Sequence, residues 1–92
     1  MILPIKKKWF DMIRTGEKKE EYRDIKPYYD SRFRKAFKNP EPVPVIFRNG
    51  YSASSPCVKA YCTLSTGEGK EEWGAEPGKE YYILHIKEWE AI

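Results

Sequence analysis

The chain has 92 residues, of which 40% are hydrophobic, 15% aromatic and 34% charged. This length fits one domain, residues 1–92, and the composition excludes a disordered chain. The net charge of +3 is uneven: residues 1–38 carry twelve Lys and Arg against six Asp and Glu, and residues 39–92 carry five against eight. The positive first part indicates an anionic partner, with a plainly solvated basic surface as the alternative.

The first part of the chain predicts a short strand, a helix, a second strand and a second helix. Residues 2–5 are an extended lead-in. An amphipathic helix follows and ends at Gly16, a typical residue just after a helix, and its apolar stripe consists of Ile5, Trp9, Met12 and Ile13. An extended run then continues as far as Pro27, and residues 28–38 have helical spacing of their aromatic side chains.

The second part of the chain predicts three strands, at residues 43–48, 57–65 and 79–89. Pro44 suggests that the first of them is an edge strand or begins near this residue. The order of elements predicts an α+β fold, a small β-barrel with two or so flanking helices.

Two cysteines and one histidine limit the chemistry available to the chain. Cys57 and Cys62 lie on opposite faces of a strand if they share one, which excludes a disulfide between them. With His85 they do not form a familiar zinc pattern, so we expect no metal and no cofactor. Reduced thiols, no signal peptide and no apolar run of about 20 residues predict a cytoplasmic protein without membrane contact.

The charged run after the first helix carries the strongest functional signal. On a regular strand Glu21 and Arg23 share one face, and Lys18 joins them only if residues 16–19 are not yet strand. A guanidinium binds phosphate or a base edge, a neighbouring carboxylate holds it in place, and an ammonium adds a cation or a base. The alternative is an exposed ion pair of small energetic value.

The pattern Gly16-x-Lys18-x-x-Glu21-x-Arg23 resembles the GxKxxExR signature of the ASCH domain family, which is related to PUA domains. The resemblance extends from Trp9 to Arg23, over a helix, a glycine and a strand. It implies a PUA-like barrel whose cleft is floored by the motif and binds RNA or nucleotides. One branch of the family resembles amidohydrolases with a threonine nucleophile at the position of Glu21, and this chain lacks that hydroxyl.

Two residues beside the Asn49-Gly50 turn are further candidates. Arg48 would hold a phosphate and Tyr51 would stack on a base at the rim of the site. The alternative is an exposed hairpin tip. His85 shares a face with Ile83, so we expect a structural histidine rather than a catalytic one.

The sequence therefore predicts a protein that binds RNA or a nucleotide through Lys18, Glu21, Arg23, Arg48 and Tyr51. A second hypothesis is a small hydrolase acting on a modified nucleoside or RNA, with Lys18 and Glu21 as its catalytic, proton-handling pair. A third is a protein-interaction module in which the motif is purely structural.

Overall fold

A computed structural model describes all 92 residues, which form one mixed five-stranded sheet and two α-helices. The elements are β1 (Ile2–Ile5), α1 (Lys7–Arg14), β2 (Glu20–Asp24), α2 (Pro27–Ala36), β3 (Val43–Asn49), β4 (Cys57–Glu68), a 3-10 turn (Glu71–Trp73) and β5 (Glu80–Ala91). The predicted order of helices and strands and the α+β class are confirmed.

The strands lie in the order β1-β3-β4-β5-β2, with β1 parallel to β3 and all other neighbours antiparallel. The sheet is not closed, because no backbone pairing joins its edge strands β1 and β2. In a flat sheet these edges would be about 19 Å apart, at about 4.8 Å between neighbours. Arg23 Nη2 in β2 nevertheless donates to the Pro4 carbonyl oxygen in β1 at 3.0 Å. The sheet must therefore curl, leaving an open seam between β1 and β2 that a side chain crosses.

Pro44 is the second residue of β3, so the expectation that this strand begins near it is confirmed, while the alternative of an edge strand is wrong because β3 pairs with both β1 and β4. The register explains how the proline is tolerated. β1 pairs only with the Ile46–Asn49 part of β3, whereas Pro44 lies opposite Tyr61 of β4. Pro44 is thus beyond the end of β1, where one side of β3 has no neighbour, and its missing N–H costs no hydrogen bond there.

The core lies between the concave face of the sheet and the two helices. Ile13 of α1 is fully buried as predicted, but its buried neighbour on the helix is Phe10, while Trp9 and Met12 stay half-buried. Phe33 is the buried residue of α2. The sheet contributes Leu3, Ile5, Val45, Phe47, Val58, Ala60, Cys62 and Leu84.

The helices have eight and ten residues, and neither could cross a bilayer, which takes about 20 apolar residues.

Cys57 and Cys62 are both free thiols, as their spacing predicts.

Candidate functional site

The end of α1 determines where Lys18 points. Gly16 has φ +81°, a conformation that favours glycine, and it follows the helix directly. The Lys18 amide then donates to the Met12 carbonyl at 2.9 Å, and β2 begins only at Glu20. Residues 17–19 are therefore not regular strand, so the alternation that would separate Lys18 from Glu21 does not apply.

Lys18, Glu21 and Arg23 meet in one ion cluster. Lys18 Nζ lies 3.2 Å from Glu21 Oε1, and Arg23 Nη2 lies 2.9 Å from Glu21 Oε2. The exposed fractions of the three side chains are 0% for Lys18, 9% for Glu21 and 14% for Arg23. One carboxylate is thus shared by two cations, and the cluster keeps a net charge of +1 in a sheltered position.

Lys18 is enclosed on all sides. Its ammonium donates to the Trp73 carbonyl oxygen and lies 4.8 Å and 5.0 Å from the ring centres of Trp9 and Tyr22. Burial lowers the pKa of Lys18 below its ordinary value, while the charge of Glu21 opposes this change. Two oxygen acceptors and two ring faces suit the charged ammonium. Lys18 therefore ties the β4–β5 connection to the ion cluster.

Arg23 is held by three partners. Nη2 donates to Glu21 and to the Pro4 carbonyl, and Nη1 donates to the Tyr29 hydroxyl at 3.2 Å. Burial opposes the charge on Arg23, but Glu21 and Tyr29 outweigh it and raise the pKa of the guanidinium. Its Nε is buried without a hydrogen-bond partner. Arg23 is thus a permanently charged group fixed at the open seam.

A cleft of about 500 Å³ opens beside the ion cluster, where the open seam meets the start of α1. Its lining residues are Pro4, Ile5, Lys6, Lys7, Trp9, Glu21, Arg23, Asn49, Gly50 and Tyr51. The lining combines three cations, one carboxylate, two aromatic rings and the half-buried turn residues Asn49 and Gly50. Clefts that bind small molecules have volumes of about 300–1,000 Å³.

The start of α1 adds to the positive charge of the cleft wall. The helix has no side-chain cap and no acidic residue in its first turn, and its N-cap residue is Lys6. The partial positive charge of a helix N-terminus therefore adds to those of the lysines instead of being neutralised. The ammonium of Lys7 contacts Asp11 at 2.6 Å in an exposed pair, whereas Lys6 makes no ion pair.

The structure brings together some of the sequence-predicted site residues and separates others. Glu21, Arg23 and Tyr51 line the cleft, and Tyr51 is 88% exposed at its rim. Lys18 lies in the ion cluster but does not line the cleft. Arg48 does not line it either, because β3 points Val45 and Phe47 into the core and Arg48 to the opposite face.

Sequence reasoning missed the contribution of Trp9 and Lys6 as cleft residues. Trp9 has the spacing of a core residue, so periodicity assigns it to the buried stripe. The signal for Lys6 was present in the three consecutive lysines at the start of a helix, where the dipole disfavours them.

Compared with family models, curated proteins and solved structures, the chain matches none.

Proposed function

We propose that the cleft binds a nucleotide, either free or as part of an RNA strand. The observation that carries this proposal is the lining of the cleft: Lys6, Lys7 and Arg23 surround a space of about 500 Å³ beside the rings of Trp9 and Tyr51. Cations and rings in one cleft are complementary to the phosphate and the base of a nucleotide.

The role of each cleft residue follows from its position and from whether its side chain is free of other partners. Lys6 is exposed and unpaired, so it can turn toward a phosphate at the start of α1. Tyr51 is the most exposed ring of the cleft and offers a face for stacking a base. Arg23 is already bound to Glu21, Pro4 and Tyr29, so it acts as a fixed positive charge at the floor. Glu21 orients Arg23, and its charge opposes the lowering of the Lys18 pKa by burial.

We also propose that the resemblance of the Gly16–Arg23 motif to the ASCH signature reflects a shared fold. If the fold is of the ASCH type and PUA-like, the curled five-stranded sheet corresponds to an incompletely closed barrel, and the motif lies at its open seam. In that interpretation Glu21 and Arg23 form the floor of the nucleotide site, and Gly16 and Lys18 support this floor without lining the cleft.

The hydrolase hypothesis, with Lys18 and Glu21 moving protons, has weaker support. A lowered pKa suits a lysine that transfers protons, but the side chain of Lys18 is 0% exposed and its ammonium is enclosed by Trp73, Trp9 and Tyr22. A ligand in the cleft would reach Glu21 and not Lys18. The interaction-module hypothesis rests on the same contacts, since the motif also joins β1 to β2 and holds the β4–β5 connection.

The test is a titration with uridine, uridine monophosphate and short single-stranded RNA, followed by NMR shifts of the amides around Lys6 and Tyr51. We expect the nucleotide and the RNA to bind and the nucleoside to bind much more weakly. Binding should weaken as salt rises, because phosphate contacts release counterions. Equal binding of uridine and its monophosphate would contradict a phosphate site and favour the nucleoside hydrolase.

Substitutions at exposed residues change binding without disturbing the fold. Tyr51→Ala should weaken binding by about 1–3 kcal/mol, the value of one stacked base. Lys6→Ala should reduce the salt slope of RNA binding by about 0.7, the effect of one phosphate contact on a single strand. Lys87→Ala is the matched control, since Lys87 is exposed, unpaired and outside the cleft. If Lys6→Ala and Lys87→Ala weaken binding equally, the basic surface as a whole and not the cleft attracts RNA.

A further inference from the structure

A second polar cluster, separate from the cleft, lies across three neighbouring strands of the sheet. The hydroxyl oxygen of Ser65 in β4 is 2.6 Å from His85 Nε2 in β5. His85 Nδ1 is 3.6 Å from Glu20 Oε2 in β2. Glu20 lies directly opposite His85 in the β2–β5 ladder, and none of the three residues lines the cleft. We call Ser65, His85 and Glu20 the serine–histidine cluster.

The carboxylate of this cluster is held in place from behind. The Tyr22 hydroxyl donates to Glu20 Oε1 at 2.8 Å and accepts a hydrogen bond from the Lys70 amide at 2.9 Å. The second oxygen of Glu20, Oε2, lies 3.6 Å from His85 Nδ1, a contact between charges that is longer than a hydrogen bond. Its negative charge favours the tautomer with the proton on Nδ1. That tautomer leaves a lone pair on Nε2, which accepts the proton of the Ser65 hydroxyl.

Access to the cluster decreases from the serine to the carboxylate. Ser65 is exposed, whereas the side chains of His85 and Glu20 are 31% and 22% exposed. A nucleophile has to be reached by its substrate, while its base and the group that orients the base are better sheltered. Hydroxyl, imidazole and carboxylate follow one another in space as in a serine–histidine–acid triad, with the imidazole and the carboxylate 3.6 Å apart.

We propose that Ser65 is an activated nucleophile that accepts an acyl group from a carboxylic ester, with His85 as its base and Glu20 as the positioning residue. Ser65 Oγ attacks the ester carbonyl carbon while its proton passes to His85 Nε2. The carbon–oxygen bond to the alcohol then breaks, and His85 returns the proton to the leaving alkoxide. Water, deprotonated by His85, releases the acid from Ser65 and restores the hydroxyl.

The surroundings of Ser65 define the class of ester. No cavity of the structure is lined by Ser65, His85 or Glu20. The sheet surface therefore offers no pocket for a long acyl chain, and a short acyl group on a good leaving group is the matching substrate. The competing interpretation is a polar ladder that only stabilises the sheet, which requires no reactivity at Ser65.

The test uses a fluorophosphonate and p-nitrophenyl acetate on the intact chain, with the modified residues located by peptide mass spectrometry. Ser65 Oγ displaces fluoride from the phosphorus, or p-nitrophenolate from the acetyl group, and in each case its proton goes to His85. Ser31 is the matched control, because it is exposed and its hydroxyl bonds only to the Tyr28 carbonyl. We expect Ser65 to be labelled at least about 100-fold faster than Ser31, the lower range for a positioned base.

The variants separate activation from folding. Ser65→Ala should abolish the adduct, His85→Gln should slow labelling of Ser65 by about 100-fold, and Glu20→Gln should slow it by about tenfold or more. Circular dichroism and thermal unfolding confirm that each variant is folded. Labelling of Ser65 no faster than Ser31 in the unaltered chain overturns the proposal without any variant, and so does an unchanged rate in folded His85→Gln.

Discussion

Replacing Glu21 by glutamine tests how much the ion cluster contributes to stability. The amide keeps the shape of the side chain and removes its charge. Lys18, with 0% of its side chain exposed, then loses its carboxylate at 3.2 Å and remains close to the like charge of Arg23. A buried ammonium without a counter-charge is the expensive arrangement, because neither water nor an anion stabilises it.

The size of the effect follows from distance and burial. Two unit charges 3.2 Å apart attract by about 5 kcal/mol at an effective dielectric constant of about 20. The amide keeps a hydrogen-bonding oxygen, so part of this survives, and breaking a buried pair by removing one partner typically costs about 3–5 kcal/mol. We therefore expect Glu21→Gln to lower the free energy of unfolding by about 3–5 kcal/mol, a large part of the about 5–15 kcal/mol of a small domain.

Urea unfolding followed by tryptophan fluorescence measures this change, with Asp11→Asn as the matched control. Asp11 pairs with Lys7 at 2.6 Å on the exposed side of α1, so the same carboxylate-to-amide change should cost less than about 0.5 kcal/mol there. The double variant Lys18→Met/Glu21→Gln should be more stable than Glu21→Gln alone, because it removes the uncompensated ammonium.

Two results would refute the reasoning. One is a cost for Glu21→Gln as small as that of Asp11→Asn, which would mean that water reaches Lys18 in solution. The other is a double variant less stable than Glu21→Gln, which would mean that the Lys18 bond to the Trp73 carbonyl, and not the charge pair, is the stabilising contact.

Two further predictions concern stability. Burial, aided by the charge of Glu21, raises the pKa of Cys62 from 9.0 to about 12. Above pH 9 the thiol therefore ionises in the unfolded chain but not in the folded one. This difference should lower the free energy of unfolding by about 1.4 kcal/mol for each further pH unit. Unfolding at pH 8 and pH 10 should show a smaller loss in Cys62→Ala than in Cys57→Ala, and equal losses would disprove it. Gly69→Ala should cost about 1–3 kcal/mol, because its Cβ would lie 2.6 Å from the Tyr22 ring. Gly78 has φ +76° and no atom within 4 Å of an added Cβ, so Gly78→Ala should cost only about 1–2 kcal/mol of backbone strain. Thermal unfolding compares the two alanine variants. A larger loss of stability in Gly78→Ala than in Gly69→Ala would contradict the steric argument.

The sequence alone was sufficient for the order of elements, and it named the three residues of the ion cluster, with Lys18 included only on the condition that residues 16–19 are not strand. Gly16 marks the end of α1, alternation marks the buried face of β4, and a spacing of two residues places Glu21 and Arg23 on one face of β2. These are local features, because period and turn chemistry act over one or two turns of chain.

Only the tertiary structure decided which of these residues face a ligand. Lys18 is enclosed because Trp73, far along the chain, folds over it, and Arg23 reaches Pro4 because the sheet curls its two edges together. The cleft combines side chains from β1, α1, β2 and the turn after β3, and the serine–histidine cluster needs the register of three strands. Such contacts depend on which distant strands pair and how far the sheet curls, and no local pattern in the chain specifies either.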